Sequence, residues 1–205
     1  MQQIKRKNGR IYTIKENKDR FFFPKEYMKF EDQLKKKQKH SVKIQINTGA
    51  RVMELQNIKV EDCFLDQKRI VLKVTKAKAK KGEKKGKQRI IPISTHFSKY
   101  LKRYIKEKNL RPEDKIGVLS TPALNIGIKL AAKRAGIKDY QNFSSHNLRK
   151  TLECWLMALG TQDSSLLAHF GHDRKTAMSA YVSPDIFSFE EKQKMRMIIN
   201  DLYQK

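Results

Sequence analysis

The sequence is short of several things a 205-residue chain commonly has. It has two cysteines, Cys63 and Cys154, far apart and without a partner motif. That excludes a disulfide framework and a cysteine zinc site, and both read as small core residues in a reducing compartment. No run approaches the ~18 apolar residues of a membrane span, so no membrane partner is expected. The segment from Met1 to Lys7 is basic with no apolar stretch behind it, which argues against a secretory signal and for a cytoplasmic protein. No glycine-rich phosphate loop follows a predicted strand, so ATP-dependent chemistry has no support. No cluster of Asp and Glu suggests a two-metal nuclease, and neither metal nor cofactor is expected.

Acidic residues are also scarce. Asp and Glu total 21 against 46 Lys and Arg, a formal net charge of +25. Such an excess calls for a polyanionic partner, and nucleic acid is the leading one, because basic side chains displace condensed counterions from phosphates; a highly charged soluble surface or a basic ribosomal or chromatin protein would also fit. Of the basic residues 34 are Lys and 12 Arg. Lys is a point charge suited to phosphate, whereas Arg reads guanine edges with two bonds, so backbone binding outweighs base reading. The hydrophobic fraction, 39%, is too high for a disordered tail.

The pattern along the chain predicts a mainly α protein with a small antiparallel β-sheet, an α+β class. Residues 1–20 read as a basic arm or short hairpin, 21–187 as the main domain, and 188–205 as a C-terminal helix. After Phe21-Phe22-Phe23, Pro24 opens a helix through Tyr27, Phe30 and Leu34, and Lys35-Lys36-Lys37 marks its exposed end or a loop. A second helix covers 41–57, interrupted at Thr48-Gly49. Two β runs, 69–75 and 89–93, bracket a basic tip and predict a hairpin. Further helices are expected over 95–108, 122–135, 147–159, 163–169, 174–181 and 188–203. In the third of these Leu148, Leu152, Trp155 and Leu159 share a buried face.

The polar residues within apolar helices are Arg, His and one Tyr. Arg51 lies in Thr48-Gly49-Ala50-Arg51-Val52-Met53-Glu54-Leu55. His146 and Arg149 stand three apart on one helical face. His172 follows Gly171, and Tyr181 comes nine residues later. His169 reads as a capping or packing residue, and His40 and His96 have surface-like neighbours.

These four boxes, in this order and at these intervals, resemble the catalytic domain of tyrosine recombinases, the family of phage integrases and Xer-type resolvases, over residues 21 to about 190. The resemblance implies that Tyr181 attacks a phosphodiester, leaving a 3′-phosphotyrosyl bond and a free 5′-hydroxyl. Arg51 and Arg149 then clamp the non-bridging oxygens, matched to them in charge and shape. His146 is the general base, and His172 donates a hydrogen bond to the phosphate. A Lys on the hairpin protonates the leaving oxygen. Register along the first strand makes it Lys76, with Lys78 as runner-up. Glu54 is a supporting residue that orients the guanidiniums. The tip lysines Lys78, Lys80, Lys81, Lys84, Lys85 and Lys87 are expected to touch DNA.

The implied function is site-specific recombination through a Holliday junction, by a homo-oligomer forming a tetrameric synapse on two double-stranded DNA sites. A type IB topoisomerase-like enzyme and a non-catalytic DNA-binding protein on the same fold are the alternatives. The family's N-terminal DNA-clamping domain is missing, so the chain is expected to be a minimal enzyme or a catalytic fragment. The C-terminal helix, with Met195, Ile198, Ile199 and Leu202 on one stripe, either docks on its own core or is exchanged between protomers.

Overall fold

The computed structural model describes residues 2–5, 9, 11–14, 20–73, 88–171 and 186–203. Near the N-terminus β1 (Gln2–Lys5) pairs antiparallel with β2 (Ile11–Ile14), the hairpin alternative for the basic arm. Eight helices are described: α1 (Pro24–Asp32), α2 (Lys36–Thr48), α3 (Val52–Leu55), α4 (Thr95–Glu107), α5 (Thr121–Arg134), α6 (Ser145–Ala158), α7 (Asp163–Phe170) and α8 (Phe189–Ile199). A three-stranded antiparallel sheet, β3 (Cys63–Phe64), β4 (Arg69–Lys73) and β5 (Gln88–Pro92), lies in that order between α3 and α4 along the chain. The expected mainly helical fold with a small antiparallel sheet is therefore the observed one.

α6 is the central helix. Leu148, Leu152 and Trp155 are buried on it, as the periodicity predicts, while Leu159 caps its end and is only half-buried. The extended segment Phe21–Phe23 is tied to it by two bonds. Phe22 N–H donates to Thr151 Oγ1 at 2.9 Å, and Trp155 Nε1–H donates to the Phe22 carbonyl at 3.0 Å. The Phe22 ring is then stacked between Phe143, 4.0 Å away, and Phe30, at 4.6 Å. Such offset aromatic contacts add to the area the rings bury. Arg20, buried beside this cluster, is neutralised by Glu26 at 2.7 Å and Asp139 at 2.8 Å.

Two expectations are corrected. Lys36 and Lys37 are exposed but helical, forming the first turn of α2, so the second helix starts earlier than residue 41. The lysines point to water while the apolar face begins at His40. His40 is not a surface residue: it is buried and stacks on Tyr104 at 3.8 Å. Its Nε2–H donates to the Ile116 carbonyl and Nδ1 accepts from Tyr100 Oη, each at 2.7 Å. Burial lowers its pKa, keeping the ring neutral.

The C-terminal helix α8 lies against α1 and α6 of its own chain, with Met195, Ile199 and the following Leu202 buried. Ile198 is half-buried. Among the described residues no helix is long and apolar enough to cross a membrane.

Thr151 tests the junction between Phe22 and α6. Its hydroxyl accepts from Phe22 N–H and donates to the Asn147 carbonyl at 2.7 Å. Thr151→Val keeps the shape but strands a buried N–H, and is expected to cost about 1–3 kcal/mol in urea unfolding. Thr151→Ser should cost much less. Equal stability of the valine variant and the parent would contradict this role.

Candidate active site

The Thr48–Leu55 box is built at a helix end. α2 stops at Gly49, whose φ of 56° is left-handed. The position also has no room: a Cβ there would lie 2.6 Å from the Phe170 ring. Glycine is required on both counts. The chain then turns, and Arg51 becomes the residue that caps the short helix α3.

Glu54, in α3, is buried. Its Oε2 accepts the Arg51 backbone N–H at 2.8 Å, and its Oε1 accepts Arg51 Nη1 at 3.2 Å. The same carboxylate receives a two-pronged bond from Arg89: Nη1 to Oε1 at 2.7 Å and Nη2 to Oε2 at 2.6 Å. Burial pushes the Glu54 carboxyl up, but the Arg89 bonds and charge, and then Arg51, outweigh it, so it sits below its ordinary value. Arg51 itself is held at its root while its side chain stays 45% exposed.

Arg149, in α6, is buried. It donates Nη1 to the Gly49 carbonyl and Nη2 to the Phe170 carbonyl, both at 2.5 Å. Gly49 ends α2, and Phe170 is the last residue of α7 before Gly171, also left-handed at φ 58°. The guanidinium thus sits where two helix C-termini meet, on carbonyls that have no intrahelical partner and carry the negative end of the helix dipole. Burial, then the charges of Arg51 and Arg89, push its pKa down to about 9. It stays cationic at neutral pH, but under repulsion that an incoming anion would relieve.

His146 is exposed on the first turn of α6, three residues before Arg149. His169, on α7, is a buried packing residue as expected. Its Nε2–H donates to the Thr48 carbonyl and its Nδ1 accepts from Tyr203 Oη, each at 3.0 Å. It therefore ties the Thr48 box to the C-terminal residues.

The structure thus brings together Arg51, Glu54 and Arg149. Lys76, the tip lysines Lys78, Lys80, Lys81, Lys84, Lys85 and Lys87, and His172 and Tyr181 lie outside the described residues. Sequence reasoning missed Arg89. Its signal was alternation: on β5, Arg89 and Ile91 share a face, opposite Leu72 and Ile70 of β4. A charge on that inward face needs a buried counter-charge, which Glu54 supplies. Among the described residues no three His, Cys, Asp or Glu side chains converge as a metal site.

With this geometry in view, comparisons place the chain. Residues 20–186 match the phage integrase family, and the chain belongs to that family. It is similar to the tyrosine recombinase XerA of Pyrococcus horikoshii, 26% identical over 144 residues, which cover 65% of this chain and 45% of that protein. The chain thus spans about half the length of that curated relative. Its fold resembles a crystal structure of XerA recombinase, with a TM-score of 0.64 and 20% identity over 87% of this chain and 64% of that one. It also resembles XerH site-specific recombinase bound to difH substrate (TM-score 0.61, 20% identity, 93% of this chain and 58% of that one). The catalytic domain of bacteriophage HP1 integrase matches at a TM-score of 0.58 and 18% identity, over 90% of this chain and 96% of that one.

The His169 site has a pH consequence. Burial, with Arg89 and Arg149 nearby, lowers its pKa from 6.5 to about 3, against the weaker pull of the Thr48 carbonyl. The unfolded chain takes up this proton below pH 6.5 while the folded chain does not, so stability falls as pH drops from about 6.5 to about 3. The slope from this residue is about 1.4 kcal/mol per pH unit. His169→Gln should flatten the acid limb of a denaturant-midpoint profile. An unchanged acid limb would contradict the assignment.

Proposed function

We propose that the chain is the catalytic part of a site-specific DNA recombinase that cuts and rejoins duplex DNA through a 3′-phosphotyrosyl bond. The observation that supports this most is the convergence of two guanidiniums, Arg51, exposed and held at its root by Glu54, and Arg149, buried and held by two helix-end carbonyls. Membership of the phage integrase family and the likeness to XerH bound to difH substrate support the same reading.

In the proposed reaction the Tyr181 Oη attacks phosphorus and passes its proton to His146. The bond from phosphorus to the 5′-oxygen breaks, and Lys76 protonates that oxygen. Arg51, Arg149 and His172 hold the non-bridging oxygens, whose charge rises in the pentacoordinate state. A phenol of ordinary pKa ~10 is a poor nucleophile, which is why base and clamp are both needed. The phosphotyrosyl bond conserves the energy of the phosphodiester, so a new 5′-hydroxyl can reverse the step without ATP. The lysines between Lys78 and Lys87 add attraction to the DNA backbone. Four protomers on two sites would exchange strands through a Holliday junction.

The test is a suicide substrate. Nicked duplexes, both a randomised pool and duplexes tiled across DNA flanking the coding sequence, are incubated with the protein without metal. A detergent-stable protein–DNA adduct is expected. It should vanish in Tyr181→Phe and fall by roughly 100-fold or more in Arg149→Ala. No adduct on any of these duplexes would overturn the proposal and leave a DNA-binding protein on the same fold. Relaxation of supercoils by monomers without junction products would favour a topoisomerase-like enzyme instead.

A further inference from the structure

Arg89 is costly where it stands. It occupies an inward-facing position on β5, across from Leu72, and its side chain is only 10% exposed. Its Nε is buried and has no acceptor among the described residues. Its Nη1 and Nη2 both donate to Glu54, one to each oxygen. A buried ion pair of this kind is a weak source of stability, because the desolvation of both partners offsets their attraction. An apolar residue beside Leu72 and Ile91 would serve the core equally well. The pair must therefore be judged by what it holds.

Glu54 holds Arg51, through both the backbone N–H and the guanidinium. Without Arg89 a carboxylate in this buried place would be more easily protonated, and a protonated carboxyl has one oxygen fewer to accept bonds. Arg51 would then keep its position in the chain but lose the anchor of its side chain. Arg89 also lies against the turn that leads to His172: a Cβ on Gly171 would be 3.4 Å from Arg89 Nη1. One guanidinium thus touches the supports of two boxes that are far apart in sequence.

Resting on the recombinase reading above, we propose that Arg89 is a positioning residue of the active site. It keeps Glu54 ionised and in place so that Arg51 is presented to the scissile phosphate. It does not touch the phosphate itself.

The experiment compares the full chain with Arg89→Met, Arg89→Lys and the double variant Arg89→Met/Glu54→Gln. Three quantities are read: duplex affinity, the single-turnover rate of adduct formation as a function of pH, and the titration of the Glu54 carboxyl followed by carbon NMR. Arg89→Met is expected to bind duplex as the parent does and to cleave roughly 10–100-fold more slowly, the scale of a misplaced catalytic group. Its rate should begin to fall at a higher pH on the acid side, and its Glu54 should titrate higher than in the parent. Glu54 is faced by Arg51 at the cap of its own helix, by Arg89 from β5 and by the Arg149 charge from α6, so the upward shift follows from losing the strongest partner. Arg89→Lys, which keeps the charge but not the fork, should recover part of the rate and most of the pH profile. In the double variant the losses should not add, because both changes break one link. Wild-type rate and pH profile in Arg89→Met would overturn the proposal, as would an unmoved Glu54 titration. If Arg89→Met does not fold, Arg89→Lys is read alone: an unchanged rate and profile then contradict the role, and a lowered rate with unchanged affinity upholds it. If the parent itself forms no adduct, the recombinase reading fails and the Glu54 titration alone decides whether Arg89 holds that carboxylate.

Discussion

A guanidinium taken out of water must find acceptors in the fold, and Arg149 finds them at the ends of two helices. α2 and α7 both finish at a left-handed glycine, and the carbonyls of Gly49 and of Phe170, just before Gly171, accept from one cation. The rest of the site depends on this. Gly49 can neither be replaced without meeting Phe170 nor moved without releasing Arg149. His169 fixes the adjoining Thr48 carbonyl, and Tyr203 fixes His169. The aromatic packing of Phe22, Phe30 and Phe143 secures α6, which carries Arg149 and His146.

Three guanidiniums in one region repel each other, and after burial that repulsion is what lowers the pKa of Arg149. One buried carboxylate, Glu54, absorbs part of it from Arg51 and Arg89. The remainder is an electropositive site whose groups are oriented before any ligand arrives. On the proposed reaction this is what a pentacoordinate phosphorus needs, since its added negative charge meets dipoles and cations that have no reorganisation left to undergo. The charge of +25 then divides by function. On the proposed reaction a few arginines serve one phosphate, and the many lysines serve the DNA backbone.

Much of this was legible in the residues. The period of Leu148, Leu152 and Trp155 marks the buried face of α6, and the alternation of Ile70 and Leu72 marks the inner face of β4. The boxes around Arg51 and Arg149 are local patterns, and the structure brings them together. What was not legible is tertiary. His40 sits among Lys39, Ser41 and Lys37, which look like a surface. It is buried only because Tyr100, 60 residues further on, and the Ile116 carbonyl close over it. Lys36 and Lys37 look like a break between helices, yet a solvated first turn tolerates lysine. Arg89 looks like one more basic residue after a run of lysines. Its meaning depends on Glu54, which reaches it only when the sheet packs against α3.

On the proposed reaction the arginine clamp meets negative charge on a phosphoryl group. The most direct measurement uses a suicide duplex whose scissile phosphate is replaced by a neutral methylphosphonate. Cleavage of the charged and neutral duplexes is compared in the parent and in Arg149→Ala. If Arg149 answers charge on the non-bridging oxygens, the neutral substrate should lessen the defect of Arg149→Ala by roughly tenfold or more. If the variant is impaired by the same factor on both duplexes, the clamp is not reading that charge and the account is wrong.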